Sequence, residues 1–540
     1  MQPGQAPAAS SKYYCQGALP FIAPILLELM AKQDENDDPD EWNVSKAASV
    51  CLSLAAQATH DEILKYVVSF VQAHVQNPAW QYRDAAIMAF GSVLEGPSEA
   101  SLTPLVNTAL SHIISMMQDP SPIVKDSVAW LLSRVIDLQP EVVLSETFFG
   151  SLVQALMAGL GMEPRVAANC CWGLRALAES AYASIEDEET GEVGETYQLS
   201  PFFEGFVGAL FQVADRQDAN EDNLRCAAYE ALMSFVQNSP KDCYEVVKKC
   251  TTAVVTRLQQ SLTAQIGREQ LAQLSDIQTQ LCALLQVLLK RLDSVDVAQL
   301  ADGVMQIFMA IFHSTSANHL RAVQEDALMA MSALIDAVKD NFAKYMAAVN
   351  PFLVSCLRVF EEHQVCFVAV GVVGDVCRAL GPAAEPYCAE YMNALLTALG
   401  ENRLDRSVKP QILSCFGDIA SAIGLAFKPY MEVTLGVLNQ ASLASMQPVP
   451  EDDYDLIDHM NDLRQGCLEA YTGVLSALRS GPFDGSAITP HVQHILAFID
   501  NVSHNEEVTE ENIRTAIGLV GFVDGCRRPS RQKECEKKKK

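Results

Sequence analysis

Apolar residues recur along this chain with the spacing of an α-helix. In one segment five of them fall at i, i+4, i+8, i+11 and i+15, which is one helix face: Val408, Ile412, Phe416, Ile419 and Ile423. Nearly every segment has this period, and none alternates between apolar and polar residues as a half-buried strand does. Proline and glycine fall between the segments, as at Gly381-Pro382. The pattern therefore predicts an all-α chain of amphipathic helices.

The helical pattern also repeats at a longer interval. Three similar stretches end in the pairs Tyr345-Met346, Tyr391-Met392 and Tyr430-Met431, which lie 46 and 39 residues apart. An interval of about 40–47 residues built only of helical segments is typical of a solenoid of antiparallel helix pairs. Such stacks present long surfaces to partners and seldom enclose a catalytic pocket. We therefore expect a right-handed α-solenoid of about 11 repeats that is not an enzyme.

The solenoid pattern has limits along the chain. Residues 1–11 are rich in Gln, Pro, Ala and Ser and are expected to be disordered. The continuous solenoid is predicted over residues 12–526, with an acidic loop at 34–41 and an acidic insertion at 185–196. Residues 527–540 contain eight Lys or Arg residues and are predicted to be a basic disordered tail.

The chain is strongly acidic. Its net charge is −29, and because the tail carries +6, the remainder carries −35. A surface of this sign repels nucleic-acid phosphates and anionic lipids and attracts basic partners. The sequence shows no apolar run of 18 residues, so we expect no membrane span.

The 16 cysteines show no Cys-x-x-Cys spacing. Several lie in apolar helical stretches and are expected to be buried and reduced, as in a cytosolic or nuclear protein: Cys51, Cys282, Cys377, Cys415 and Cys467. His491 and His494 are three residues apart, but no third ligand completes a metal site. Phosphate-binding glycine loops and nucleophile motifs are also absent from the sequence. We therefore expect neither a metal nor a cofactor.

Six carboxylates crowd into residues 34–41, just before a predicted helix: Asp34, Glu35, Asp37, Asp38, Asp40 and Glu41. A bare acidic run is most often a solvated connector. This run, however, falls between the two helices of a repeat, and such loops project from the concave face of a solenoid. A dense carboxylate strip at that place would attract and steer Lys and Arg side chains.

All four tryptophans fall in the first third of the chain, in successive predicted repeats: Trp42, Trp80, Trp130 and Trp172. For a single tryptophan, packing in the core is the usual role. At matching positions in successive repeats, the indoles would instead form a ladder that holds basic side chains by cation–π contact. The residues by themselves leave both roles open.

Two functions fit an acidic helical solenoid. The first is a receptor that grips a basic helical segment on its acidic face. The second is a scaffold or adaptor for another protein complex, in which ridges between the repeats hold a folded partner. Tight binding to a folded catalytic subunit would favour the second function.

Three long, ungapped stretches resemble the importin-β family of HEAT-repeat nuclear import receptors. They are DENDDPDEWN at 34–43, NPAWQYRDAAIMAFG at 77–91 and VQEDALMA at 323–330. The likeness extends over residues 12–525. It implies that the fold is a stack of HEAT repeats.

The resemblance implies a receptor that carries cargo through nuclear pores and resides in the cytoplasm, the nucleus and the nuclear envelope. Its concave face would wrap the basic importin-β-binding helix of importin-α, or would bind basic nuclear cargo. Besides the six acids of the loop, the adaptor site would include Trp42, Trp80, Asp84, Asp126, Trp130 and Trp172. Four loop residues would also contact Ran: Asp34, Glu35, Asp37 and Asp38.

The sequence departs from the family at three places. The family's N-terminal repeats have no counterpart here. They carry the main Ran-GTP contact and the principal site for phenylalanine-glycine nucleoporins. We therefore expect Ran-GTP binding to be weakened or lost and nucleoporin binding to be partial. Residues 526–540 do not match the family, and the loop reads Asp-Pro-Asp-Glu at 38–41 where the family usually has only Asp.

Overall fold

The structure is a computed structural model, and it describes residues 12–34, 41–187, 189–263, 271–318, 321–450, 452–479, 488–505 and 507–521. The chain forms two compact units, residues 1–250 and residues 251–540, which are described in turn. The predicted segments 1–11 and 527–540 lie outside the described residues. The continuity of the solenoid over residues 12–526 stays a prediction.

The first unit is built of helices. They are α1 (Tyr14–Met30), α2 (Val44–Thr59), α3 (Leu64–His74), α4 (Trp80–Ser92), α5 (Glu99–Ser115), α6 (Pro122–Leu138), α7 (Pro140–Val143), α8 (Phe149–Gly159), α9 (Pro164–Ala183), α10 (Phe203–Ala214) and α11 (Leu224–Gln237). Five pairs pack together: α1–α2, α3–α4, α5–α6, α8–α9 and α10–α11. The second helices of these pairs also pack on each other in the order α2, α4, α6, α9, α11. They form a row, and this row carries the candidate site.

The row forms because each second helix is apolar on the sides that meet its neighbours. In α6, five residues at helical spacing are fully buried: Val124, Val128, Leu131, Leu132 and Val135. Burying one such side chain stabilises the fold by about 1.5–3 kcal/mol relative to leaving it exposed. Pro122 and Pro164 begin α6 and α9, where the missing N–H leaves no helical hydrogen bond unmade.

The second unit repeats the same plan. After α12 (Tyr244–Thr263), which crosses the boundary between the units, its helices are α13 (Leu271–Arg291), α14 (Ser294–Asn318), α15 (Arg321–Val338), α16 (Met346–Cys356), α17 (His363–Leu380), α18 (Glu385–Leu399), α19 (Val408–Ile423), α20 (Met431–Ser445), α21 (Tyr454–Arg479), α22 (Val492–His504) and α23 (510–521). The pairs α14–α15, α16–α17, α18–α19 and α20–α21 pack together, and the row runs α13, α15, α17, α19, α21. Within the described ranges there is no β-strand, only an isolated bridge between Glu186 and Val193. The predicted all-α fold of stacked helix pairs is confirmed.

The repeat interval differs slightly from the one suggested by the Tyr-Met pairs. Helices α15, α17 and α19 end 42 and 43 residues apart, at Val338, Leu380 and Ile423. Tyr345-Met346 and Tyr430-Met431 lie where a 3-10 turn leads into the next helix, whereas Tyr391-Met392 lies inside α18. The middle pair is therefore not at the equivalent position, and the helix ends define the repeat better.

Helices α19 and α21 approach each other backbone to backbone. A methyl group added at Gly473 would overlap the backbone carbonyl of Gly417, and one at Gly417 would overlap the backbone of Ala470. Glycine is required at both positions because any larger residue would push the two helices apart.

Three stretches of the second unit are long and apolar enough to cross a membrane by length and composition alone: Ser294–Ser314, His363–Leu399 and Val408–Ser445. The expectation that the chain contains no such stretch is therefore wrong. In the structure they form α14 and the pairs α17–α18 and α19–α20. In the most apolar 18-residue window of each stretch, the share that is buried inside the protein is 44% for the first stretch and 61% for each of the other two. Packing between helices thus accounts for much of their apolar character, and the absence of a membrane span stays a prediction.

Most cysteines are buried, as expected. Eleven of the fourteen described cysteines are buried, and all fourteen are free thiols. Burial raises the pKa of Cys282 and of Cys467 well above the usual range, which keeps these thiols protonated and unreactive. Cys51 is the exception: it was expected to be buried but is exposed on α2.

Candidate functional site

A cleft of about 560 Å3 opens along the row of second helices in the first unit. Residues of α2, α4, α6 and α9, and of the connection between α1 and α2, form its walls. Four residues singled out from the sequence line it: Asp34, Asp84, Asp126 and Trp130. Its ionisable lining consists of five carboxylates and two basic groups, namely Asp34, Asp84, Asp126, Glu163, Asp222, Lys46 and Arg165. The cleft is therefore negative and favours cationic ligands.

Asp84 lies in the second turn of α4 and is only 2% exposed. Gln33 Nε2 donates a hydrogen bond to its Oδ2 at 2.7 Å, whereas Oδ1 has no partner among the residues that the structure describes. Burial raises the pKa of Asp84 from 3.8 to about 6; the Ser127 hydroxyl and the Gln33 amide oppose the rise, and the charges of Asp126 and Asp119 add to it. The cleft wall thus holds a buried carboxyl group that is mostly ionised at neutral pH.

Asp126 lies near the start of α6, and both of its carboxylate oxygens already accept hydrogen bonds. Arg165 Nε donates to its Oδ2 at 2.9 Å, and Asn169 Nδ2 donates to its Oδ1 at 2.7 Å. Burial raises the pKa of Asp126, and both of these α9 side chains oppose the rise. An incoming cation would therefore compete with Arg165 at Asp126.

Trp130 is half-buried in the middle of α6 and packs over the backbone of α4. A methyl group at Gly91 would overlap its indole ring. The guanidinium of Arg134 lies 5.6 Å from the ring centroid and also donates to Glu95 at 2.8 Å. The indole is therefore held in place by α4 below it and by a cation of its own chain, while part of the ring faces the cleft.

The other tryptophans lie elsewhere. Trp172 is half-buried in the middle of α9, with the Arg175 guanidinium 5.7 Å from its ring centroid. Trp80 is the first residue of α4, and Trp42 precedes α2 and is 68% exposed. Two indoles thus lie at helix N-termini and two in helix interiors, so a ladder of four equivalent indoles does not form. Their part in binding stays a prediction.

The acidic loop is described only at its two ends. Asp34 lines the cleft, and Glu41 is exposed, with its backbone carbonyl accepting a hydrogen bond from Lys46 Nζ at 2.7 Å. The remaining predicted loop residues lie outside the described residues: Glu35, Asp37, Asp38 and Asp40. The predicted contacts of the loop with an adaptor and with Ran therefore stay predictions.

Several lining residues were missed by the sequence analysis: Gln33, Lys46, Glu163, Arg165, Asn169 and Asp222. A signal for one of them was present. Arg165 follows its partner Asp126 by 39 residues, and Asp119 follows Arg83, to which it is paired at 2.8 Å, by 36. A search for opposite charges about one repeat apart would have found both ion pairs.

The acidic insertion at 185–196 does not line the cleft. Its bridge between Glu186 and Val193 closes a turn in which the Asp187 side chain accepts the backbone N–H groups of Glu189 and Thr190, at 3.0 and 2.8 Å. The described carboxylates of the insertion are exposed. This segment behaves as the solvated acidic connector that such a composition commonly forms.

Two family models match the chain. The first, described as importin subunit beta-1-like, TPR repeats, matches residues 151–526, and the second, a HEAT-like repeat, matches residues 80–135. Importin subunit beta-1 of Schizosaccharomyces pombe is 37% identical over 521 residues, which is 96% of this chain and 59% of that protein. Importin subunit beta-1 of Arabidopsis thaliana is 36% identical over 94% of this chain and 58% of its own length.

Solved structures of importin beta and of Kap95 are also similar to this chain. A crystal structure of importin beta superposes with a TM-score of 0.88 at 35% identity, covering 96% of this chain and 59% of that one. A Kap95:Nup1 complex superposes with a TM-score of 0.85 at 29% identity, over 97% of this chain and 59% of that one. A structure of Kap95p with RanGDP superposes with a TM-score of 0.72 at 29% identity, over 97% of this chain and 60% of that one. The chain thus spans about three fifths of the length of the relatives it matches.

Proposed function

The chain belongs to the importin subunit beta-1-like family, and from this premise we propose that it takes part in nuclear protein import by binding a basic helical segment in the acidic cleft of its first unit. The segment would be the importin-β-binding helix of importin-α or a basic stretch of a nuclear cargo. The observation that carries the proposal is the cleft itself, whose lining holds five carboxylates and only two basic groups.

The physical chemistry of the cleft supports a cationic partner. Guanidinium and ammonium groups donate charge-assisted hydrogen bonds to carboxylates, which are about twice as strong as neutral ones. The partly exposed Trp130 ring beside these acids offers a surface for a stacked guanidinium. The net charge of −29 would speed the encounter with a basic partner and make it sensitive to salt.

A binding titration with a matched pair of variants tests the proposal. The probe is an arginine-rich amphipathic peptide, labelled for fluorescence anisotropy and titrated with the full chain at low and at physiological salt. One variant neutralises the six acids of residues 34–41 to Asn or Gln, and the control neutralises the six acids of residues 185–196. Because a surface ion pair contributes about 0.2–1 kcal/mol, we expect the first variant to bind about tenfold or more weakly and the control to bind within about twofold of the original chain.

Two results would overturn the proposal. One is the absence of peptide binding at low salt, and the other is an equal effect of the two variants. Tight binding to a folded catalytic subunit, with no affinity for the peptide, would favour a scaffold function instead.

We also propose that the chain keeps a weakened contact with Ran and a partial contact with phenylalanine-glycine nucleoporins, and that it moves between cytoplasm and nucleus through the pore. Similar proteins solved with Ran and with Nup1 support this proposal. Adding Ran-GTP to the peptide complex should lower the anisotropy if the chain responds to Ran. A complex that Ran-GTP leaves intact would mark a receptor that retains its ligand. A fluorescent fusion that fails to concentrate at the nuclear rim would count against nucleoporin binding.

A further inference from the structure

Trp172, in the middle of α9, already has a cation of its own chain against its ring. The guanidinium of Arg175 lies 5.7 Å from the ring centroid, within the range of about 6 Å over which a cation–π contact acts. Because the two residues are three positions apart in the helix, their side chains lie on one face. A partner's arginine that approached this ring would therefore find it occupied.

Two glutamates hold Arg175 in this position. Its Nε donates to Glu179 of α9 at 3.0 Å, and its Nη1 donates to Glu230 of α11 at 3.3 Å. The hydrogen bond to Glu179 raises the pKa of Arg175 most, and the charges of Glu179, of Glu230 and of Asp137 on α6 add to the rise. An indole with carboxylates from three second helices around it can bind a guanidinium, and in the free protein Arg175 takes that place.

The charged side chains of this site are accessible to a partner. That of Arg175 is 43% exposed, and those of Glu179 and Glu230 are 46% and 34% exposed. Glu179 also accepts a hydrogen bond from Ser234 at 3.3 Å, and Glu230 accepts one from the thiol of Cys226 at 3.6 Å. Both carboxylates therefore keep a partner on α11 when Arg175 moves away.

The preceding repeat shows a related arrangement. Arg134 lies 5.6 Å from the ring centroid of Trp130 and donates to Glu95 at 2.8 Å. Trp130, however, also lines the cleft, so part of its ring is open to a partner. Trp172 does not line the cleft. Arg175 is thus the group that a ligand would have to replace at that indole.

We propose that Arg175 is an internal competitor at Trp172: it occupies the indole and Glu230 in the free protein, and a partner's guanidinium binds there only after Arg175 has withdrawn onto Glu179. This inference rests on the proposed function, because it takes the partner to be a basic segment. Arg175 and Glu179 are four residues apart in one helix, so their ion pair survives the withdrawal. The exchange leaves no charge unpaired, since the entering guanidinium takes Glu230.

An internal competitor lowers the apparent affinity of the site. A cation–π contact at an exposed position favours the occupied arrangement by about two- to fivefold, and the fraction of molecules with an open ring falls accordingly. Arg175→Gln should therefore bind an arginine-rich peptide about three- to sixfold more tightly than the original chain. If Arg175 served only to hold the indole in place, its removal would weaken binding instead.

The anisotropy titration with the arginine-rich peptide, made with the full chain at physiological salt, tests this. Arg175→Gln also removes one positive charge, which by itself favours a basic peptide. The matched control is Arg216→Gln, which removes the same charge and frees the carboxylate of Asp218, 2.6 Å away, but leaves both arginine–indole contacts in place. We expect the three- to sixfold gain beyond this control, and we expect it to vanish in the Trp172→Leu background, because the competitor acts through the ring.

A second measurement does not depend on the partner. Acrylamide quenching of tryptophan emission should increase in Arg175→Gln relative to Arg216→Gln, because the Trp172 ring loses the side chain that lies against it. Unchanged quenching, a gain in affinity no larger than that of the control, or a gain that persists in Trp172→Leu would overturn the internal competitor and leave the proposed function standing. Failure of the original chain to bind the peptide at all would instead remove both.

Discussion

Replacing Asp84 by Asn should stabilise the ligand-free first unit, and the gain should grow with pH. Asparagine keeps the shape of the side chain and can still accept the hydrogen bond from Gln33, but it carries no charge into the buried position. In the folded protein the pKa of Asp84 is about 6 against an ordinary value of 3.8, so the folded state holds the proton more tightly than the unfolded state. The penalty for ionisation is therefore absent well below pH 4 and fully present above pH 7.

The size of the effect follows from the shift. One pKa unit corresponds to about 1.36 kcal/mol, so a shift of about two units costs the original chain about 3 kcal/mol at pH 8. The same relation gives less than about 1 kcal/mol at pH 4. The free energy of unfolding of Asp84→Asn, relative to the original chain, should thus rise by about 2 kcal/mol between pH 4 and pH 8. Any constant difference in packing between Asp and Asn cancels from this comparison.

Urea denaturation monitored by tryptophan fluorescence measures this directly. All four tryptophans lie within residues 1–250, so indole emission reports the first unit alone. The control is Asp61→Asn. The exposed Asp61 accepts hydrogen bonds from Ser98 and Ser101, of which the backbone N–H of Ser98 is the main cause of its lowered pKa.

The Asp61→Asn control should change the free energy of unfolding in the opposite direction to Asp84→Asn. Asp61 stabilises the fold above its ordinary pKa and loses that contribution as the pH falls, so Asp61→Asn should be destabilising at pH 7 and nearly neutral in acid. If the difference between Asp84→Asn and the original chain were the same at pH 4 and pH 8, burial of Asp84 would not penalise its charge.

Three further outcomes are expected. Gly91→Ala should destabilise the first unit by about 1–3 kcal/mol and shift tryptophan emission, because the new methyl group would displace the Trp130 ring. Gly473→Ala should destabilise the second unit at least as much in urea unfolding followed by circular dichroism, because the overlapping carbonyl of Gly417 belongs to the backbone and cannot rotate away. Cys51 should react with iodoacetamide in the folded protein, whereas the buried thiols should react only after denaturation, as peptide mass spectrometry would reveal.

One substitution serves as control for both glycine variants. A methyl group at Gly208, on α10, would meet no atom within 4 Å, so Gly208→Ala should stabilise by up to about 1 kcal/mol through helix propensity. A neutral Gly91→Ala would mean that the Trp130 ring moves aside at little cost, and a neutral Gly473→Ala would mean that α19 and α21 separate at little cost. Rapid labelling of Cys282 alongside Cys51 in the native protein would contradict the packing of the second unit.

The helical class of this protein and its repeat were readable from the chain alone. The spacing of residues such as Val408, Ile412 and Phe416 depends only on the helical pitch, which every sequence shares. The likeness to importin-β rests on contiguous stretches, and the family match confirms it. The local sequence misled where residues in similar sequence contexts pack differently. Cys51 was expected to be buried but is exposed, and Tyr391-Met392 lies inside α18 instead of at its start.

Only the tertiary structure distinguished the two acids of the cleft. Asp84 and Asp126 each follow a basic residue near the start of a second helix, and nothing in their local sequence separates them. In the folded chain Asp126 meets Arg165 and Asn169 of the next repeat. Asp84 instead meets Gln33 of the preceding repeat and the Ser127 hydroxyl, and is almost fully buried. The state of a buried carboxyl group is set by the donors, charges and solvent within a few ångströms of it. Here those neighbours come from residues 33 to 222, a grouping that exists only once the helices have stacked.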